Sequence, residues 1–424
     1  MVDEKKIKLG QKMYIMQASF EYLISLLMAG SFLAKLTGAL GMRDSLTGIL
    51  TSVASLGCLF GLLSIGIRKR RVKKLVIILC TVDQLLFGFL YIIPLLPLSG
   101  SIKIGLFVVC MVGAYVAANV ANPKKINWLM SLVDDRKRGI FTANKEIISL
   151  ILGMAFSYGM GSVMDHYEGL GEIATGFKIT AAVIFFLMIC HLFTLIFTVE
   201  KELPEPEKEK SSIKETLKAL MKNKGVRDVT LVFSLYYISC YFTSPFLGTY
   251  QNNELGFSLK YVAILGIVNA VVRVMVSKAM GNYADRKSYP AMLEICLWMT
   301  AFAFASSMLS VPGSGTYVFA FHYIFAGIGA GGISNALTSM VFNYVTPDER
   351  ADALAITLAV SGTAGFISTL TASPLVSFIQ NNGNRIFGLK VYAQQFNSVI
   401  SIFLQLMAIF YLRKTLRSEE RKTT

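Results

Sequence analysis

A carboxylate lies in the middle of the first long apolar stretch of the chain. Glu21 is flanked by Gln17 and Ser25, one helical turn away on either side, so a helix would present all three on one face. An ionisable group inside an apolar segment is expensive and needs a reason to be there. Burial opposes the charged form of a carboxyl group, so Glu21 could take up and release a proton. The alternative is a structural hydrogen bond to a neighbouring helix.

Basic side chains lie inside two further apolar stretches. Lys124 and Lys125 could line a polar cavity, or their ammonium groups could extend to the lipid headgroups. Arg273 stays protonated and therefore requires an anion or several acceptors. It could pair with a carboxylate such as Glu21 or Glu146, or bind a substrate. These cations favour a small organic anion or a polar metabolite as the ligand.

Amide and aromatic side chains in the apolar stretches complete the candidate site. The predicted substrate-binding and coupling residues are Gln17, Glu21, Tyr115, Asn119, Asn122, Lys125, Glu146, Tyr236, Tyr241, Asn269, Arg273 and Asn335. The tyrosines could stack on a ligand, although an aromatic stripe in such a helix more often serves packing. Asp83 is interpreted as structural, and His191 and His322 as isolated. A stripe of small residues at four-residue spacing predicts close helix packing before a substrate path: Ser149, Gly153, Ser157 and Gly161.

The composition identifies the elements that must hold these residues. Hydrophobic residues make up 54% of the 424-residue chain and charged residues only 16%, against about 25% charged residues in soluble proteins. A helix that crosses hydrocarbon needs about 20 mostly apolar residues. Twelve stretches reach that length, near 13–36, 45–66, 75–97, 102–133, 140–164, 176–199, 228–252, 258–281, 290–311, 316–345, 351–380 and 392–412. We therefore predict an all-α polytopic membrane protein with twelve transmembrane helices.

The basic residues between these stretches predict the orientation of the chain. Twenty-nine of them fall in the termini and in loops on one side, and seven fall on the other side. Because cytoplasmic loops carry the excess of lysine and arginine, both termini are predicted to lie in the cytoplasm. The protein is expected in the plasma membrane.

One long polar segment, residues 200–226, divides the chain into halves of six spans each, 1–199 and 227–424. Ser212 and Glu215 match a capping box. The residues that follow place an apolar face opposite lysines, which predicts a helix on the inner membrane surface. A solvated linker is the alternative. The apolar face consists of Ile213, Leu217, Leu220 and Met221.

The two halves repeat a pattern after their fourth spans. LVDDRKRGIF (132–141) and YVTPDERADA (344–353) both place a charged turn and an arginine before the next helix, so Arg138 corresponds to Arg350. A related charged turn, GNYADRKSYP (281–290), follows the eighth span and contains Asp285 and Arg286. Parallel repeats of six spans in one chain favour a transporter with a site between the halves.

On these motifs the chain resembles the major facilitator superfamily over nearly its whole length. The resemblance implies two six-helix bundles, alternating access to a midplane site, and an inner-loop gate formed by Arg138, Asp285, Arg286 and Arg350. The loop after the second span departs from the family pattern, because SIGIRKRRVKK (64–74) has the glycine and the basic run but no aspartate. The fourth span has no arginine between Gly105 and Asn122, and the glycine-rich part of the fifth span, 152–161, has no proline. Both departures weaken a resemblance to proton-coupled drug exporters.

Other function classes lack support in the sequence. No metalloprotease-type His-Glu cluster and no phosphate-binding P-loop occurs, and the glycine pattern at 327–332 lies inside an apolar span with no preceding strand. We therefore expect no enzyme, cofactor, metal site or nucleic-acid partner. The predicted function is secondary active transport of a small solute across the lipid bilayer, coupled to protons. The alternatives are a proton-driven exporter of lipophilic or drug-like compounds and a transporter-fold sensor without flux.

Overall fold

The computed structural model describes residues 4–63, 71–134, 138–200, 213–346, 349–386 and 388–417. Nearly all of them are helical. The helices are α1 (Glu4–Leu27), α2 (Gly30–Ala39), α3 (Asp44–Ser52), α4 (Gly57–Leu63), α5 (Lys73–Leu90), α6 (Gly100–Met130), α7 (Arg138–Gly169), α8 (Ile173–Phe197), α9 (Ile213–Lys222), α10 (Lys224–Thr243), α11 (Leu247–Thr249), α12 (Leu259–Arg286), α13 (Tyr289–Leu309), α14 (Gly315–Phe342), α15 (Arg350–Asn381) and α16 (Ala393–Lys414). A short antiparallel hairpin, β1 (Arg385–Ile386) and β2 (Leu389–Lys390), joins the last two helices.

The helices confirm an all-α polytopic membrane protein. Each of the twelve predicted stretches contains helix, in the predicted order. Within the described residues, nine helices are long and apolar enough to cross a membrane, and ten if α1 and α2 count as one bent span. The second stretch is divided between α3 and α4, and residue 63 is the last of its described residues. α5 has 18 residues and contains three charged ones, Lys73, Lys74 and Asp83.

One span is bent, and a second, Lys224–Glu254, changes helix type along its length. α1 and α2 meet at an angle of 48°, and Gly30 at the junction has a φ of +54°, a conformation that glycine adopts without steric cost. The seventh span is regular α-helix, α10, up to Thr243, and the regular pattern ends there because Pro245 cannot donate a backbone hydrogen bond. It continues as a 3-10 turn, α11 and a π-helical turn, Tyr250–Glu254.

The helices form two compact units. Unit 1 comprises the described residues of Met1–Met42, Phe60–Lys208 and Ser258–Ala263, and unit 2 comprises those of Arg43–Leu59, Glu209–Phe257 and Ile264–Thr424. Helices α1, α5, α6, α7 and α8 therefore belong to unit 1. Helices α9 to α11, α13 to α16 and most of α12 belong to unit 2.

Unit 1 is held together where α1, α5, α6 and α8 meet. Trp128 of α6 is fully buried in this core and donates its indole N–H to the Val199 carbonyl at 3.1 Å. Ser149 and Gly153 of the small-residue stripe pack against α1, whereas a Cβ added to Gly161 would meet the backbone of Leu259. The Ser149 and Ser19 hydroxyls are 3.1 Å apart, and a Cβ added to Gly153 would overlap the ring of Tyr22.

Unit 2 has the larger core, formed by α10, α13, α14, α15 and α16. The glycines of the 327–332 pattern serve helix packing: a Cβ at Gly327 would meet the Asn269 carbonyl, and one at Gly332 would meet Cys296. Leu220 of α9 is buried in the same core. Ser212 and the side chain of Glu215, which match a capping box, lie outside the described residues.

Candidate functional site

The carboxylate of Glu21 forms an ion pair with Lys125. The Lys125 Nζ donates to Glu21 Oε1 at 2.6 Å and to Oε2 at 2.5 Å, and so joins α1 to α6. The lysine side chain is only 5% exposed, whereas that of Glu21 is 37% exposed. The Lys125 side chain is therefore enclosed, and Glu21 is the more exposed member of the pair.

A glutamine and a histidine extend this pair into the protein. Gln17 lies one turn before Glu21 on α1, and its Nε2 donates to Glu21 Oε2 at 2.7 Å. The same nitrogen is 2.8 Å from Nε2 of His191 on α8. Gln17 and His191 are both buried. We call these four residues the unit 1 polar cluster: Gln17, Glu21, Lys125 and His191.

Further titratable groups surround the cluster. Asp83 and Cys80 of α5 are buried and interact electrostatically with both Glu21 and Lys125. Tyr14 of α1 lies within the same electrostatic range. The Lys145 ammonium of α7 lies over the Tyr14 ring, 5.2 Å from the ring centroid. The cluster thus lies where five helices of unit 1 contribute polar groups.

The ion pair with Lys125 compensates for the burial of the charged Glu21 carboxylate. Removing two charges from water costs several kcal/mol per ion, and good geometry with further hydrogen bonds is needed to offset that cost. Two bonds from Lys125 and one from Gln17 supply this compensation. The sequence suggested a carboxylate whose burial favours the neutral form. In the structure the Lys125 ammonium donates to both oxygens of the charged form, so a proton on Glu21 would weaken this ion pair.

The structure decides two alternatives that the sequence left open and corrects one expectation. Lys125 does not extend to the headgroups, because its enclosed ammonium binds Glu21. Glu21 has Lys125 as its partner rather than Arg273. His191 is not isolated, because it contacts Gln17 across 174 residues of sequence. An ionisable residue in an apolar span was the visible signal in each case, but the sequence does not show which spans face one another.

The other candidates of unit 1 lie around the cluster on α6 and α7. Tyr115 is half-buried and packs edge-on against Phe87, with ring centroids 5.5 Å apart. Asn119 donates its amide to the Tyr115 carbonyl at 2.8 Å. Asn122 and Glu146 are exposed. The structure therefore brings Gln17, Glu21 and Lys125 into direct contact and leaves the side chains of Asn122 and Glu146 at the surface of the protein.

The aromatic candidates of unit 2 lie in a packed stripe on α10. Tyr241 stacks on Tyr237 with ring centroids 5.8 Å apart, and a Cβ added to Gly365 of α15 would contact both tyrosines. Tyr236 is half-buried and edge-on to Tyr237. This aromatic stripe thus contributes to packing between α10 and α15.

Helix α12 carries an amide and a guanidinium in different environments. Asn269 donates to the Tyr323 carbonyl at 2.8 Å and so ties α12 to α14. Arg273, one turn further on, is exposed. Asn335 of α14 is also exposed. Arg273 and Asn335 remain candidates for contact with a solute.

The predicted inner-loop gate is described in part. Asp285 and Arg286 are exposed at the end of α12. Arg138 and Arg350 are the first residues of α7 and α15, which have 32 residues each. The side chain of Arg138 lies outside the described residues, as do residues 64–70 of the loop after the second span. Arg350 lies over the ring of Phe342 at 5.2 Å.

Three buried or capping carboxylates were not singled out from the sequence. Asp165 of α7 accepts the backbone N–H groups of Leu259 and Lys260, both at 2.8 Å. Asp44 at the start of α3 accepts from Asn253 at 2.9 Å and from Gln380 at 2.8 Å. Glu294 of α13 is paired with Arg413 of α16 and with Arg417, which follows the end of that helix. Each acid lies near the end of an apolar stretch, where a solvated side chain is the simpler expectation.

No group of three or more histidine, cysteine, aspartate or glutamate side chains within the described part of the chain is arranged to hold a metal ion. The cysteines there are free, and Cys80, Cys110 and Cys296 are buried. They behave as small hydrophobic side chains.

The chain was compared with the sequences and structures of known proteins. No curated protein sequence is significantly similar to the chain. Solved structures share its fold: a variant of the nucleoside transporter NupG has 13% identity and a TM-score of 0.72, with 96% of this chain and 99% of that chain covered. A bacterial homologue of the iron transporter ferroportin has 13% identity and a TM-score of 0.69, covering 98% and 99%. A D-xylose-proton symporter has 14% identity and a TM-score of 0.65, covering 96% of each chain.

The family model of the Major Facilitator Superfamily matches residues 15–369. The chain therefore belongs to the major facilitator superfamily, and it is a multi-pass membrane transporter rather than an enzyme.

Proposed function

We propose that the protein is a proton-coupled secondary transporter of a small polar metabolite that carries an anionic group. The observation that supports this proposal most strongly is the ion pair between an enclosed Lys125 side chain and a partly exposed Glu21 side chain. Alternating access would expose the site first to one side of the membrane and then to the other. We place the protein in the plasma membrane with six spans on either side of segment 200–226, and the distribution of basic residues supports an orientation with both termini in the cytoplasm.

The pair couples a proton to an anion by competition for Lys125. While Glu21 is ionised, both of its oxygens occupy the ammonium. A proton on Glu21 weakens that bond and frees the ammonium to bind an anionic group of the solute. By linkage, an anion bound to Lys125 favours the proton on Glu21 by the same free energy. The loaded site then carries one proton and one anionic charge, so transport of a monovalent anion is electroneutral.

Binding of small probes to the purified protein tests this proposal. The anionic probes are lactate and succinate, the neutral ones are uridine and D-xylose, and the readout is thermal stabilisation at pH 5.5 and pH 7.5. A ligand at a hundred times its dissociation constant stabilises the folded protein by about 2.7 kcal/mol. We expect stabilisation by the carboxylates, stronger at the lower pH, because the proton on Glu21 releases Lys125.

Two variants make the test specific. Lys125→Met should abolish stabilisation by the carboxylates. Glu172→Gln should leave it unchanged, because Glu172 is exposed at the start of α8. Stabilisation by lipophilic compounds that survives Lys125→Met would instead support the exporter. Ligand binding without flux into sealed vesicles would support the sensor.

A further inference from the structure

The amide of Gln17 contacts both a carboxylate and an imidazole through one atom. Its Nε2 is 2.7 Å from Glu21 Oε2 and 2.8 Å from His191 Nε2. A primary amide nitrogen has two hydrogens and accepts no hydrogen bond. Both contacts are therefore donations from Gln17. His191 Nε2 must be the acceptor, so the neutral imidazole carries its proton on Nδ1.

The opposite orientation of the same amide demands the opposite protonation. If the amide turns over, Oε1 takes the place of Nε2 and can only accept hydrogen bonds. Glu21 must then carry a proton to donate, and His191 must carry its proton on Nε2. The net uptake is one proton, on Glu21, while the imidazole exchanges its Nδ1 proton for one on Nε2. With the amide turned over, an ionised Glu21 or an Nδ1–H imidazole would place two acceptors against each other, and with the amide as observed, an Nε2–H imidazole would place two donors against each other.

The surroundings keep water away from the contact between Gln17 and His191. Gln17 and His191 are each 1% exposed, and an unsatisfied buried polar group is costly. The charged groups that act on His191 are Glu21 of α1 and Lys125 of α6. Asp83 and Cys80 of α5 and Tyr14 of α1 act on that pair, and Lys145 of α7 lies over the Tyr14 ring.

We infer that Gln17 and His191 are positioning residues that set the proton affinity of Glu21, through an amide whose orientation links the protonation of Glu21 to the tautomer of His191. The inference deepens the proposed coupling at Glu21 and rests on it for its role in transport. The linkage itself is a property of the resting protein and can be measured without a solute.

The tautomer of His191 is the direct readout. Nitrogen NMR of histidine-labelled protein in lipid separates the two neutral tautomers, and His191→Phe identifies the His191 signal among the three histidines of the chain. At high pH we expect Nδ1–H. As the pH falls and Glu21 protonates, we expect conversion to Nε2–H, and Gln17→Leu should abolish the conversion. An Nε2–H tautomer at high pH, or a tautomer that stays constant through the titration of Glu21, would overturn the inference.

Transport provides the second readout. Gln17→Leu removes a donor from the ionised carboxylate, so the midpoint of pH-dependent uptake should rise by about one pH unit, tenfold in proton concentration. His191→Phe should also shift the midpoint, whereas the matched control His322→Phe should not, because His322 contacts the Ala303 carbonyl in unit 2. Uptake that is independent of pH, with a tautomer that still converts, would refute the proposed coupling and leave the linkage standing. A shift as large in His322→Phe would refute the linkage.

Discussion

Removal of the Lys125 ammonium should destabilise the folded protein, because it leaves the Glu21 carboxylate without its partner. Deleting one member of a fully buried pair costs about 3–5 kcal/mol. Lys125 is 5% exposed, but Glu21 is 37% exposed and can regain part of its hydration, and an exposed pair contributes only about 0–1 kcal/mol. We therefore expect Lys125→Met to lower the free energy of unfolding by about 2 kcal/mol, between the two limits.

A double-mutant cycle isolates the pair from the other effects of each substitution. Unfolding by SDS in mixed micelles gives the free energies of the wild type, Lys125→Met, Glu21→Gln and the double variant. The double variant should recover most of the loss, because no charge remains without a partner. The loss in Lys125→Met should also shrink as the pH falls, since acid neutralises the orphaned carboxylate. Additive effects, or a single-variant loss below about 0.5 kcal/mol, would refute the pair as a stabilising contact.

Three further outcomes follow from contacts elsewhere. Gly153→Ala should cost about 1–3 kcal/mol of unfolding free energy, because the added methyl meets the ring of Tyr22, whereas Gly159→Ala has open space and should be neutral or stabilising. Asp165→Ala should cost about 1 kcal/mol and increase amide hydrogen exchange at the start of α12, because two N–H groups lose their acceptor. Glu294→Ala should lower the thermal stability in detergent more than Glu172→Ala does, because the buried Glu294 carboxylate pairs with two arginines.

Much of the fold follows from the sequence because a membrane span needs a long apolar stretch. Each of the twelve stretches contains helix, and α15 differs from its predicted range by one residue at either end. The bend at Gly30 and the end of α10 before Pro245 are visible afterwards as a glycine and a proline, but a hydropathy pattern does not mark them as breaks. Whether a glycine bends its helix or allows close packing depends on which residues of the neighbouring helix lie against it.

The site could be predicted only by residue type. An acid, a lysine and a histidine in apolar spans were each evident, but their contacts depend on the rotation of helices that lie 104 and 174 residues apart in sequence. The sequence suggested Arg273 as a possible partner for Glu21 and did not indicate Lys125. The ion pair and the shared Gln17 nitrogen emerge only once α1, α6 and α8 are packed together.

Concentrative uptake at a controlled pH gradient tests proton coupling through Glu21 most directly. Proteoliposomes are given an anionic ligand found by the binding screen, a gradient of one pH unit, and a membrane potential held at zero with potassium and valinomycin. One proton per monovalent anion predicts up to about tenfold accumulation by the wild type, and for Glu21→Gln equilibration without accumulation. Equal, pH-driven accumulation by Glu21→Gln would contradict the account.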